Sequence, residues 1–185
     1  MIGAVLAGGS GSRLGRGSKA AVEVAGRPLL SYPMAALAGA CERVVVVCKQ
    51  ETDLPELPGL ERWDEPAEPR HPLTGIVHAL ATAGGPVLVC AADMPFVTAD
   101  ACRTLLQAAA SSAAVVAVAG GVLQPTFALY APAALERLRG APADAPLTRT
   151  VEALDPAHVA LPAGLVRSVN TPEDLAEVEE LLSRR

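Results

Sequence analysis

No stretch of this chain concentrates lysine or arginine. Its 15 basic residues are outnumbered by 20 acidic ones, for a formal net charge of −5. Nucleic-acid grooves and acidic membrane surfaces call for clustered positive charge, so both are excluded as expected partners. Nucleotides are not excluded, because a local loop can neutralise a phosphate on an acidic protein. The four cysteines form no C-x-x-C pair, and no histidine stands at zinc-ligand spacing. Cys48 and Cys90 lie in apolar runs, where small buried thiols are common, so structural thiols in a reducing cytoplasm are expected. The opening MIGAVLAGG has no basic region, and its apolar run is too short for a signal peptide or membrane helix. No later run reaches membrane length without charge, Pro or Gly, and no internal repeat is evident.

What the chain does have is apolar sequence, 51% of 185 residues, distributed in short bursts. Continuous apolar runs at 2–7, 43–49 and 86–92 read as strands covered on both faces. A weaker strand is expected at 60–63, two more at 113–119 and 125–130, and one or two within 157–169. Helical spacing falls between them, at 28–40, 74–83, 98–110, 132–139, 147–154 and 171–185. Thr98 and Thr171 are expected N-caps, the latter with Pro172 at the first helical position and Asp174 completing a capping box. Strands alternating with helices predict an α/β layered fold with a mostly parallel sheet, in one domain spanning 1–185. The proline-rich stretch 64–72 is expected to be a loop within that domain.

The densest signal is LAGGSGSRLGRGSK, residues 6–19, directly after the first strand. Gly8, Gly9 and Gly11 allow close approach of the backbone to a ligand. Successive main-chain N–H groups of Leu6, Ala7 and the residues that follow can then cradle phosphate oxygens. Ser10 and Ser12 add hydroxyl donors, and Arg13 and Lys19 add positive charge. Two better-known phosphate loops do not fit. The dinucleotide fingerprint needs a third glycine where Leu14 stands, and the P-loop needs Ser or Thr where Ala20 follows Lys19. Asp93 ends the strand at 86–92. Ligands of open α/β sheets sit at the carboxyl ends of strands, which places Asp93 and the glycine loop at one crevice. A carboxylate there suits the magnesium ion that a triphosphate carries, since Mg²⁺ usually takes only one or two protein carboxylates.

The motif L-A-G-G-x-S/G-x-R-L/M-G-x-x-K-A resembles the signature of the molybdenum cofactor guanylyltransferases, within the nucleotidyltransferase superfamily. The resemblance extends along the chain through VAGRPLL (24–30), PLTGIVHAL (72–80), DMPF (93–96), PTFALY (125–130) and NTPEDL (170–175). It implies a three-layer α/β/α, Rossmann-like nucleotidyltransferase domain and Mg²⁺-dependent transfer of a guanylyl group from GTP to molybdopterin, with release of pyrophosphate. It also implies roles for Asp64 and Gly75 at the nucleotide and for Asn170 near the metal or the acceptor. Lys19 and Arg13 would offset charge on the leaving pyrophosphate, and Asp93 would hold the metal. Two columns depart from the family, Ser18 where Asp is usual and Val47 where many members have Asn. Transfer of cytidylyl or guanylyl to another phosphorylated acceptor therefore stays open, as does a non-catalytic nucleotide-binding module. Leu6-Ala7-Gly8-Gly9 tilts the reading to GTP, because cytidylyl relatives tend to show L-A-A-G. Tyr130, Trp63, His71, His78 and His158 read as ordinary core or surface residues.

Overall fold

Why the apolar runs are continuous rather than alternating is plain in the computed structural model, which describes residues 1–9, 19–109, 112–142 and 145–184. Strands β1 (Ile2–Leu6), β4 (Arg43–Lys49) and β6 (Val87–Ala91) lie side by side at the centre of one sheet. Val5, Val46, Cys48, Leu88 and Cys90 point into one core. Ala4, Val45, Val47, Val87 and Val89 point into another. Each face is roofed by helices, so neither register of the pleat meets water. Helices α1 (Ser31–Ala38) and α3 (Ala99–Gln107) cover the first face, through Leu37 and Leu105 among others. Helices α2 (Pro72–Ala83), α4 (Leu135–Arg139) and α5 (Leu147–Glu152) cover the second. This is the expected three-layer α/β/α arrangement.

The remaining strands are β5 (Arg62–Glu65), β7 (Ala114–Ala119), β8 (Val122–Tyr130) and β9 (Ala157–Ala160), and the sheet order is β5-β4-β1-β6-β8-β7-β9. Strand β8 runs antiparallel to both its neighbours, while every other pairing in this sheet is parallel. From β1 the sheet grows to β4 on one side and to β6 on the other. The carboxyl end of β1 is thus a switch point, where a crevice opens between connections that leave in opposite directions.

Local departures from the sequence reading have identifiable causes. Strand β5 sits two residues later than expected, pairing Val46 through Lys49 with Arg62 through Glu65. Helix α1 starts at Ser31, so Pro33 falls in its first turn, where a missing N–H costs little. A small hairpin, β2 (Glu23–Val24) and β3 (Arg27–Pro28), precedes it, turning through Ala25 (φ 48°) and Gly26 (φ 70°). Two positive φ values suit a two-residue hairpin turn. Helix α2 starts earlier than read, with His71 Nδ1 accepting from Leu73 N at 3.2 Å and Pro72 in the first turn. Strand β8 tolerates Pro125 because its register against β7 shifts between Val116 and Ala117. A bulge is where a residue without a donor does least harm. Buried Tyr130 returns to that bulge, donating its hydroxyl to Pro125 O at 2.7 Å.

Two caps match the sequence reading. Thr98 Oγ1 accepts from Ala101 N at the start of α3. At α6 (Pro172–Ser183), Thr171 Oγ1 accepts from Asp174 N while Asp174 Oδ2 accepts from Thr171 N, a reciprocal capping box. Helix α6 and the β2–β3 hairpin share a third small core around Val24, Leu29, Phe96, Val169 and Val178. Among the described residues no helix is long and apolar enough to cross a membrane.

Candidate active site

A crevice of about 570 Å³ opens across the carboxyl ends of β5, β4, β1 and β6. Its middle is the start of the glycine-rich segment. Leu6, Ala7, Gly8 and Gly9 line it, and Ala7 N is tied to Val47 O at 2.8 Å. The next residues, Ser10, Gly11, Ser12 and Arg13, lie outside the described residues. Among the described residues no acceptor is bonded to the N–H of Gly8 or Gly9. Two free amides at the end of a central strand are what a phosphate oxygen requires.

On the β6 side of this turn stands a polar cluster built from three distant parts of the chain. Lys19 Nζ is 2.5 Å from Asp93 Oδ2 and 2.9 Å from Asn170 Oδ1. Asp93 comes just after β6, where Ala92 N bonds to Leu6 O and holds the turn against β1. Val169 N bonds to Asp93 O at 2.9 Å, which brings Asn170 alongside. Asn170 N in turn donates to Asp174 Oδ2, the capping-box carboxylate of α6. The backbone of Asn170 therefore belongs to the helix cap and its side chain to the crevice. Lys19 and Asp93 are less than one-fifth exposed.

Two oxygens, one carboxylate and one amide, thus converge on a single cationic group. That donor set fits Mg²⁺, which takes hard oxygen ligands and few from protein. Among the described residues no group of three or more His, Cys, Asp or Glu is placed to cage a metal.

On the β4–β5 side is a second ionic pair, which sequence reasoning missed. Lys49 ends β4 and Glu65 ends β5, and the two are register partners. Their charged atoms are 3.4 Å apart, with side chains only 2% and 5% exposed. Lys49 Nζ also donates to Pro66 O and, at 3.4 Å, to Pro69 O. Burial holds the Glu65 carboxyl above its ordinary value, and the nearby Lys49 ammonium only partly offsets this. Among the described residues Glu65 Oε2 has no hydrogen-bond partner. The carboxylate is wedged between two glycines. A Cβ on Gly8 would stand 2.1 Å from Glu65 Oε1, and one on Gly75 would stand 3.0 Å from Oε2.

Gly75 accordingly lines the crevice from the first turns of α2, as its sequence position suggested, but the atom it makes room for is a carboxylate oxygen. Asp64 does not line the crevice. It is half exposed and paired with Arg62 Nε at 2.6 Å. Successive strand residues face opposite ways, and in β5 it is Glu65, not Asp64, whose side chain turns inward. His71, read as ordinary, both caps α2 and lines the crevice. The thiols take no part. Burial pushes Cys41 and Cys48 up to about 11 and Cys102 up to about 12, which keeps each protonated at neutral pH.

A glycine turn with free amides at a switch point, and a lysine shared by an aspartate and an asparagine on the same crevice, are features of a nucleotide-binding α/β enzyme. The sequence profile of the MobA-like NTP transferase domain family matches residues 3–159, and the chain belongs to that family. It is a nucleotidyltransferase. The probable molybdenum cofactor guanylyltransferase of Natronomonas pharaonis is 32% identical over 98% of each chain. The 2-C-methyl-D-erythritol 4-phosphate cytidylyltransferase of Deinococcus radiodurans is 46% identical, over 62% of this chain and 49% of its own. The fold is shared with molybdopterin-guanine dinucleotide biosynthesis protein A of Archaeoglobus fulgidus, at a TM-score of 0.78 and 24% identity over the whole of both chains.

Proposed function

We propose that this enzyme transfers a guanylyl group from GTP to the phosphate of molybdopterin, with Mg²⁺, forming a guanine dinucleotide and releasing pyrophosphate. The observation that carries the reading is the convergence of Lys19, Asp93 and Asn170 beside the free amides of Gly8 and Gly9. The guanylyltransferase named above, 32% identical along nearly its full length, supports the choice of GTP and of the pterin.

The chemistry asks little of protein side chains. An acceptor phosphate oxygen attacks the α-phosphorus in line, the bond to the bridging oxygen of the β-phosphate breaks, and pyrophosphate leaves. A phosphate nucleophile is already ionised, so no general base is needed, and the protonated thiols are no obstacle. Catalysis rests on positioning and charge. The Gly8 and Gly9 amides hold the β- and γ-phosphate oxygens. Lys19 leaves Asp93 and meets the negative charge that grows on the leaving group, with Arg13 of the adjoining loop acting in the same sense. Asp93 and Asn170 are the residues that would hold Mg²⁺. When bound, that ion supplies charge neutralisation and restrains the phosphate oxygens.

The test is a panel of each nucleoside triphosphate against several phosphorylated acceptors, with Mg²⁺ and pyrophosphate as readout. GTP with molybdopterin in its molybdenum-loaded form is expected to be the productive pair. Turnover of CTP with a sugar-alcohol phosphate, and none with GTP, would overturn the reading.

A further inference from the structure

Two ionic groups flank the Gly8–Gly9 turn, and the transfer chemistry uses only the one around Lys19. The other, Lys49 with Glu65, lies on the opposite side of β1 at the ends of β4 and β5. An ammonium group has three donors. Three oxygens surround that of Lys49, namely Pro66 O, Pro69 O at 3.4 Å and Glu65 Oε1 at 3.4 Å. With its side chain 2% exposed as well, Lys49 is not placed to bind a ligand.

The loop that Lys49 holds is poor in donors of its own. Pro66, Pro69 and Pro72 carry no N–H, while carbonyls turned inward must still be paired. The loop leads into Arg70, His71 and Pro72, which form the crevice wall on this side. The carboxylate of the pair stands against Gly8 and Gly75, where a Cβ would lie 2.1 Å from Oε1 and 3.0 Å from Oε2. Lys49 and Glu65 are thus keyed to the glycine turn, to the start of α2 and to the loop between them. A buried ion pair adds little net stability, because desolvation offsets the attraction. What it fixes here is position.

We propose that Lys49 is a positioning residue for the transfer reaction: without touching substrate, it clamps the 66–69 loop so that the wall at 70–72 stands in a fixed place across from the glycine turn, and Glu65 holds the clamp. This rests on the nucleotide reading above and is independent of the base. With phosphates on the Gly8 and Gly9 amides and near Lys19, the nucleoside takes the rest of the crevice, beside that wall. A loosened wall should weaken a nucleotide and spare its phosphate portion.

The experiment is calorimetric binding, in Mg²⁺, of pyrophosphate, GDP and CDP. In Lys49→Met, whichever nucleotide the wild-type protein binds more tightly should weaken roughly 10-fold, as when the wall is in place about a tenth of the time, with pyrophosphate staying within about 2-fold. Lys49→Met strands the buried Glu65 charge, so Lys49→Met/Glu65→Gln is measured beside it and should show the same split with greater resistance to urea. Glu65→Gln alone keeps an oxygen for Lys49 and both carbonyl contacts, and should bind nucleotide within a few-fold of wild type. Unchanged nucleotide affinity in the double variant, a parallel loss of pyrophosphate, or a loss in Glu65→Gln equal to that in Lys49→Met overturns the proposal. Tighter wild-type binding of CDP overturns only the choice of GTP. Wild-type binding of pyrophosphate and of neither nucleotide overturns the nucleotide reading, and the proposal with it.

Discussion

Lys19 Nζ and Asp93 Oδ2 are 2.5 Å apart, although 74 positions separate them in the chain. Lys19 opens a short helical turn and Asp93 comes just after β6, so the contact joins two distant parts of the chain at the end of the sheet. An ammonium group occupies the place where the carboxylate and Asn170 Oδ1 converge. On the proposed function, binding of a metal-carrying triphosphate would separate the pair, freeing the lysine for phosphate and the carboxylate for the cation.

Lys19→Ala should therefore lower kcat by about 10²- to 10³-fold, the usual cost of losing one preorganised charge stabiliser. Thermal unfolding should also shift downward, because the change leaves Asp93, less than one-fifth exposed, without its ammonium partner. Steady-state kinetics on a variant with native circular dichroism checks this, and a kcat within a few-fold of wild type would remove Lys19 from the chemistry.

Glu65 gives a pH signature. Its carboxyl titrates above its ordinary value in the folded protein because burial outweighs Lys49. Below the ordinary carboxylate value both folded and unfolded chains hold the proton, and the contribution to stability is complete. Between the ordinary value and the raised one only the folded chain keeps it, so stability falls as pH rises through that window. Glu65→Gln cannot ionise and should lose this decline. Urea midpoints of the two proteins from about pH 4 to about pH 7 should show the variant gaining on wild type as pH rises. A constant gap would contradict the assignment.

Gly75→Ala places a Cβ 3.0 Å from Glu65 Oε2 and 3.1 Å from Leu6 Cδ2. Overpacking of this kind costs about 1–3 kcal/mol. Urea denaturation should show that loss, and it should shrink when Glu65→Gln is combined with it, since the neutral amide can withdraw without stranding a charge. Additive effects would mean the two sites do not touch.

Thr171→Ala removes the hydroxyl that accepts from Asp174 N and should cost about 1 kcal/mol, as loss of an N-cap does. The same box holds Asn170 N through Asp174. A loosened Asn170 should raise the Mg²⁺ concentration needed for half-maximal rate. Unchanged metal dependence in a destabilised variant would confine the cap to a structural role.

Much of this was legible in the residues because it followed from local periodicity. The strands at β1, β4 and β6 announced themselves as apolar runs ended by Gly8, by Lys49 and by Asp93, and the caps Thr98 and Thr171 were readable from composition alone. The Lys19–Asp93 meeting followed from the rule that ligands sit at strand ends. What stayed hidden depended on register. Ending β5 at Trp63 left Asp64 and Glu65 in a loop, where strand alternation has no say, and so the outward face of Asp64 and the inward face of Glu65 were not readable. The signal was present as a lysine ending one buried strand and a glutamate two residues past the expected end of its neighbour. Gly75 does line the crevice, but nothing in the sequence states that its missing Cβ answers a carboxylate from β5. The β2–β3 hairpin escaped notice because two-residue strands carry no periodicity, leaving only Ala25-Gly26 as a clue.

The most direct test of the account is a crystal structure with a non-hydrolysable GTP analogue and Mg²⁺. It should show β- and γ-phosphate oxygens on the Gly8 and Gly9 amides, a cation about 2.0–2.1 Å from an Asp93 carboxylate oxygen, and Lys19 moved from Asp93 onto phosphate. A nucleotide bound elsewhere, or a cation that leaves the Lys19–Asp93 contact intact, would contradict it.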